Sequence, residues 1–160
     1  MKTFMVRIDD RLIHGQVVTG WTRSIGVTCI LVVDDKAAGD KIQQSLMRMA
    51  TPAGVRAEFL TVADAAERIA ADVYKNESLL ILVRGPKAII SLIDRGVEIQ
   101  NLNIGNLRSA PEKIKLLSHV YAMPDEIGDW KELDRRNVKM SAQILPDQTK
   151  VDFNDVLKKL

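Results

Sequence analysis

The chain has one cysteine, Cys29, so no internal disulfide framework can hold it together. Aromatic residues are scarce: two Trp, two Tyr and three Phe, none interleaved with basic residues in the way that stacks nucleic-acid bases. An excess of either charge is also missing. Lys and Arg number 23 and Asp and Glu 21, with the signs interspersed, so the net charge of +2 comes without a basic block. That argues against a nucleic-acid-binding protein. No apolar run reaches the ~18 residues that a membrane-spanning helix needs. The start, Met1-Lys2-Thr3-Phe4-Met5-Val6-Arg7, meets charge too early for a secretory leader, so a cytoplasmic chain is expected. Two histidines and one cysteine at these spacings make no zinc pattern; neither a metal nor another cofactor is expected.

What is present suits one globular unit. A chain of 160 residues has the usual size of a single domain. Such a chain buries roughly 68–70% of its unfolded surface, enough for a core without staples. Short apolar runs rich in β-branched residues alternate with helical patterns. Strands are expected at Phe4–Ile8, Thr28–Val33, Val55–Leu60, Leu79–Val83, Ile99–Ile104, Leu116–Ala122 and Val138–Gln143. The second and fourth are apolar nearly throughout, as in parallel strands covered on both faces. Cys29 opens the run Cys29-Ile30-Leu31-Val32-Val33 and reads as a small core residue rather than a reactive thiol.

Helices are expected at Gln16–Ile25, at Asp40–Ala50 with Ile42, Leu46 and Met49 along one face, and after Thr61 as a cap. The helix after Thr61 offers Ala65, Ala66, Ile69, Ala70 and Val73 as its apolar positions. Further helices run from Pro86 to Gly96, from Pro124 to Arg136, and through Val151–Leu160 behind Asp152. Met47 and Met49 are assigned to core packing or a helix face, and Lys158-Lys159 to a helix C-terminus. The alternation predicts a single-domain α/β fold: an open, mostly parallel sheet flanked by helices on both faces. Gly105–Ala122 shows no clear helix, so the sixth strand is a candidate antiparallel edge strand.

In open sheets of this kind ligands bind outside the carboxyl ends of the strands. That rule selects three loops: Asp9-Asp10-Arg11-Leu12-Ile13-His14-Gly15, Arg84-Gly85-Pro86 and Gly105-Asn106-Leu107. The first places two carboxylates, a guanidinium and an imidazole between a strand and a helix. Gly15 tolerates the backbone angles of a tight turn. The helix starting near Gln16 turns free N–H groups toward the loop, an arrangement that attracts anions such as phosphate. Arg11 adds bidentate donors for phosphate oxygens, and an exposed neutral His14 is a competent nucleophile. Either Asp9 or Asp10 holds the ring's other N–H or orients Arg11. Gly15-Gln16-Val17-Val18-Thr19-Gly20 has P-loop spacing but continues Trp21-Thr22, without the lysine that nucleotide hydrolysis requires. Arg84 is a candidate phosphate or partner contact. His119 reads as a structural or surface histidine.

The run Val6-Arg7-Ile8-Asp9-Asp10-Arg11-Leu12-Ile13-His14-Gly15-Gln16-Val17 resembles the signature of enzyme IIB subunits of the mannose/fructose/sorbose family of the bacterial sugar phosphotransferase system (PTS). Trp21, the segment Gly96-Val97 leading into Leu102-Asn103-Ile104-Gly105-Asn106, and Pro146 are similar too, so the resemblance covers residues 1–160 as one type-4 (mannose/sorbose) IIB domain. It implies a protein-Npi-phosphohistidine–sugar phosphotransferase with no cofactor. His14, as a phosphohistidine intermediate, would take the phosphoryl group from IIA through Nδ1 and pass it to a sugar delivered by the IIC/IID permease, assisted by Arg11. Asp9, Asp10, Leu12, Ile13, Gly15 and Gln16 would form the phosphate loop, and Arg84, Gly105 and Asn106 a second one. Asn106 stands where many relatives have glycine. The subunit would be cytoplasmic, visiting the inner membrane face through its permease. Two other readings stay open: a non-enzymatic regulator that uses His14 as a phosphorylation switch, and a small-molecule-binding α/β module.

Overall fold

The computed structural model describes residues 3–160. Seven strands form one sheet in the order β3-β2-β4-β1-β5-β8-β9. They are β1 (Thr3–Ile8), β2 (Cys29–Val33), β3 (Arg56–Leu60), β4 (Ser78–Val83), β5 (Asn101–Ile104), β8 (Lys139–Ala142) and β9 (Val151–Asp152). All neighbouring pairs are parallel except β8–β9, which is the antiparallel edge. The expected fold class is therefore observed.

Alternation along the buried strands divides the core in two. In β2, Ile30 and Val32 join Leu80 and Leu82 of β4 under α1 (Gly15–Ile25), α2 (Asp35–Ala38) and α3 (Lys41–Met49). Leu31 and Val33 join Val6, Ile8 and Ile81 on the opposite face. That face is covered by α4 (Val62–Ala70), α5 (Pro86–Asp94), α6 (Glu126–Arg135) and α7 (Phe153–Lys158). Trp130 and Phe153 meet edge to face there, with centroids 5.1 Å apart.

Three sequence expectations are corrected. Leu116–Ala122 is not a sixth strand of the main sheet. Ser118 and His119 turn the chain, and β6 (Ile114–Leu117) pairs antiparallel with β7 (Val120–Ala122) as a separate hairpin. The antiparallel edge is β9 instead, formed by Val151 and Asp152, which were assigned to the last helix; Asp152 still caps that helix by accepting from Asp155 N–H. Third, the Ile42–Leu46–Met49 stripe of α3 faces solvent, with exposures of 77%, 62% and 84%. The helix is rotated because its other face has polar duties. Buried Gln44 donates to the carbonyls of Ala37 and Ala38 at 2.8 and 3.1 Å, closing α2, and Arg48 donates to Ala57 O at 2.9 Å and lies over the Phe59 ring. Met47, next to these on the helix, is the methionine that enters the core.

Sheet order puts the ends of β4, β1 and β5 side by side, with β1 in the centre. From β1 the chain runs outward on one side to β2 and β3, and from β4 it crosses to β5 on the other. The crevice above β1 is therefore a topological switch point.

Candidate phosphoryl site at the carboxyl ends of the strands

Three backbone hydrogen bonds close the crevice. Asp9 N donates to Val83 O, Gly105 N to Ile8 O and Asp10 N to Asn106 O, at 2.9, 2.8 and 3.1 Å. The loops after β1, β4 and β5, which the sequence singled out separately, thus form one rim. Between β1 and α1 the chain makes a tight turn. Leu12 N donates to Asp9 O at 3.1 Å, and Leu12 itself has φ +58° while its side chain is fully buried. Such a backbone costs a leucine about 1–2 kcal/mol, which burial of the side chain offsets by about 1.5–3 kcal/mol. Leu12 and Ile13 therefore do not line the rim; they pin the loop to the core beneath α1.

Arg11 is exposed, and among the described residues its guanidinium has no partner. His14 is the N-cap of α1, with extended backbone and no side-chain capping bond. Gly15 (φ +43°) and Gln16 are exposed at the first turn. The N–H groups of that turn lack acceptors within the helix and carry its positive end. The His14 ring is partly exposed and turned so that Nδ1 lies 3.0 Å from Leu12 O. A carbonyl only accepts, so Nδ1 is the protonated nitrogen and Nε2 holds the lone pair in the neutral ring. Nε2 is enclosed and, among the described residues, has no hydrogen-bond partner. The resemblance implied Nδ1 as the reacting nitrogen, with Nε2 held or solvated; here Nδ1 is the nitrogen that is held.

The two aspartates divide the work differently from either expectation. Asp9, buried, accepts the Arg11 backbone N–H at 3.3 Å and the Asn106 N–H at 3.4 Å, and its Oδ1 stands 3.8 Å from His14 Nδ1. It orients the backbone of Arg11, not the guanidinium. Asp10 accepts from Arg108 N and Nε at 2.8 and 3.2 Å, tying the first loop to the third. Arg84 donates to Asp10 O at 2.8 Å and pairs with Asp34 at 3.4 Å, so it braces the first loop from the β4 side.

Beneath the rim lies a group the sequence reading passed over. Arg7, in the central strand β1, is 1% exposed. It donates to Asn103 Oδ1, to Gln143 O at 2.9 Å, to Ile144 O at 3.1 Å and to Asp9 Oδ2 at 3.2 Å, and lies over the Trp21 ring at 5.2 Å. Trp21 Nε1 also donates to Ile144 O, at 2.8 Å. Burial pulls the Arg7 guanidinium below its ordinary pKa range, and the neighbouring Asp9 carboxylate works against that. The available signal was a charge in an apolar strand, set between Val6 and Ile8, both buried. Gly105 is required by the same pair: a Cβ there would sit 2.5 Å from Arg7 Cζ and 2.7 Å from Asp9 Oδ2.

His119 stands apart from the rim's donors. Its carbonyl accepts from Leu107 N at 2.9 Å, joining the β6–β7 hairpin to the loop after β5. Burial, with Arg7 nearby, pushes its ring below the usual histidine range. Among the described residues no cluster of His, Cys, Asp and Glu could hold a metal ion, and no helix is long and apolar enough to cross a membrane.

With this geometry in place, comparisons identify relatives. The family model for the PTS system sorbose subfamily IIB component matches residues 3–160. The chain is 30% identical to the sorbose-specific EIIB component of Klebsiella pneumoniae over 155 residues, covering 97% of this chain and 94% of that protein. It is also 30% identical to the mannose-specific EIIAB component of Escherichia coli, covering 98% of this chain and 48% of that longer protein. The crystal structure of the IIBSor domain of the Klebsiella pneumoniae sorbose permease superposes with a TM-score of 0.92 at 30% identity, covering 99% of this chain and 98% of that one.

These matches correct the route expected from the sequence. They uphold phosphoryl transfer by a IIB component, but not the passage of the group from IIA onto His14 and on to a sugar, and that route is withdrawn as the statement of function. The rival carrier is Cys29, the chain's one thiol. Cys29 opens β2 at the end of the sheet away from the rim, about 13 Å below it at the usual rise per residue. It is fully buried, and burial pushes its thiol up to about 11. The whole chain, from β1 to α7, belongs to the sorbose subfamily of IIB components, phosphotransferase enzymes of PTS sugar transport.

Proposed function

We propose that phosphoryl groups are handled at the rim formed by the loops after β1, β4 and β5, with His14 and Arg11 at its centre. The observation that carries this reading is a convergence of groups suited to a phosphoryl ion. An exposed Arg11 guanidinium without a partner among the described residues, the lone pair of the His14 ring and the open first turn of α1 share one loop at the switch point. Together they match the charge and oxygen geometry of a phosphoryl group without a metal. Transfer of this kind depends on positioning and electrostatic stabilisation, which a braced loop supplies. Gly15 and Gln16 contribute at the helix end, and Asp9, Asp10, Arg84, Gly105 and Asn106 hold the loops in place. Leu12 and Ile13 anchor from below.

In this reading residues 1–160 form one mannose/sorbose-type IIB domain that works in the cytoplasm. Its partners are a IIA phosphoprotein and a IIC/IID permease, through which it reaches the inner membrane face. The Escherichia coli relative, an EIIAB component, supports a IIA partner. The sugar is one of the class served by such systems.

The test is phosphoryl uptake from the phosphorylated IIA protein of a sorbose-type system, followed by addition of vesicles carrying the IIC/IID permease and sugar. Protein-bound phosphoryl, discharged as sugar phosphate only when permease is present, is the expected result. A folded chain that takes up no phosphoryl group refutes the proposal. Uptake without discharge would favour a regulatory protein on this fold.

A further inference from the structure

We infer that Arg7 is a positioning residue for phosphoryl transfer, acting on the rim through Asp9; this rests on the rim being the phosphoryl site. Arg7 is too deeply buried to reach a partner protein. Its guanidinium instead joins four segments: Asp9 after β1, Asn103 in β5, Gln143 and Ile144 after β8, and the Trp21 ring of α1. Of these contacts only Asp9 leads up to the rim.

Asp9 divides its two oxygens between the site loops. Oδ1 accepts the Arg11 N–H and faces His14 Nδ1 at 3.8 Å. Oδ2 accepts from Arg7 and from the Asn106 N–H. One carboxylate thus sets the first and third loops against each other, and Arg7 sets that carboxylate. Without its cation the buried carboxylate would be unpaired, a costly state that is relieved by turning toward water. That turn withdraws the acceptors on which the Arg11 and Asn106 backbones depend. A displacement near 1 Å at a transfer site is enough to slow the chemistry strongly. Gly105 shows how closely the arrangement is built, since any Cβ there meets both members of the pair.

Arg7→Lys keeps the charge but cannot reproduce the planar fork that reaches Asp9 and two carbonyls at once. The experiment is single-turnover phosphoryl transfer from phosphorylated IIA, together with amide NMR spectra of the same protein. Arg7→Lys is expected to fold, to slow transfer at saturating donor by about 10- to 100-fold, and to change half-saturation much less. The Arg11 and Asn106 amide resonances should move. Asp9→Asn preserves shape and should move the same two resonances and slow transfer, so it serves if Arg7→Lys does not fold. A folded variant with the wild-type rate overturns the inference. So does slow transfer with both resonances unmoved, and so does failure of both variants to fold, which would make the pair purely structural. Wild-type protein that takes up no phosphoryl sinks the functional reading instead.

Discussion

Gly105→Ala gives a measure of how tightly the rim is supported from below. The new Cβ would lie 2.5 Å from Arg7 Cζ and 2.7 Å from Asp9 Oδ2, closer than real Cβ contacts come. The guanidinium cannot swing away, because Asn103, Gln143 and Ile144 hold it from the other side. The backbone has little freedom either, since Gly105 N donates to Ile8 O at 2.8 Å. Overpacking of this sort costs about 1–3 kcal/mol. Loss of the charge-assisted Arg7–Asp9 contact adds about 1.5–3 kcal/mol. A combined loss of about 2.5–6 kcal/mol corresponds to a fall in Tm of about 5–24 °C for a chain of this size. Gly128→Ala is the control: it lies within α6 with nothing among the described residues within 4 Å of its would-be Cβ, and should stabilise by about 0.5–1 kcal/mol. Thermal unfolding of both variants by circular dichroism, with urea titration as a second readout, decides the matter. Gly105→Ala with a Tm within about 2 °C of wild type would mean that the Arg7–Asp9 pair is not packed as described.

Three further outcomes are expected. Arg11→Ala should weaken the affinity for inorganic phosphate and slow phosphoryl uptake by about tenfold, yet leave stability within about 0.5 kcal/mol, because the side chain is exposed; unchanged single-turnover rates would remove it from the mechanism. Cys29 in the native protein should react with Ellman's reagent at pH 8 about a thousandfold or more slowly than in denaturant, since the buried thiol, pushed up to about 11, is reached only through unfolding; prompt native labelling would reopen it as a carrier. His119, held below the usual histidine range in the fold, binds its proton more readily when unfolded, so it should make stability fall as pH drops through the unfolded value near 6.5. Urea unfolding of His119→Gln against wild type between pH 5 and 7.5 should show a flatter pH dependence in the variant; identical slopes would remove His119 as the source.

The sheet and the place of the site were legible because they depend on local regularities. Apolar runs such as Cys29–Val33 and Leu79–Val83 read as doubly covered strands, and Thr61 capped its helix as expected by accepting from Asp64 N–H. The features that were missed depend on tertiary partners. Nothing in the 3.6-residue period of Ile42, Leu46 and Met49 reveals that Gln44 is needed to close α2, which turns the stripe outward. The β6–β7 hairpin was hidden by its turn at Ser118 and His119, which lacks glycine and proline. At the rim, residue types indicated an anion site, but the sharing of Asp9 among Arg7, Arg11 and Asn106 joins residues up to 97 positions apart in sequence. The place of Arg7 in β1 is legible in the sequence, but the groups that hold its charge, Asn103, Gln143 and Ile144, come from distant segments.

The central claim is that phosphoryl chemistry takes place at the carboxyl-end rim and not at the buried end of β2. The direct measurement is localisation of the label after uptake from phosphorylated IIA, by rapid trypsin digestion and mass spectrometry under alkaline conditions. Cleavage after Arg11, Arg23 and Lys36 separates the two regions into peptides 12–23 and 24–36. Phosphoryl on peptide 12–23, which carries the start of α1, is the expected result. Phosphoryl on peptide 24–36, which carries Cys29, would contradict it.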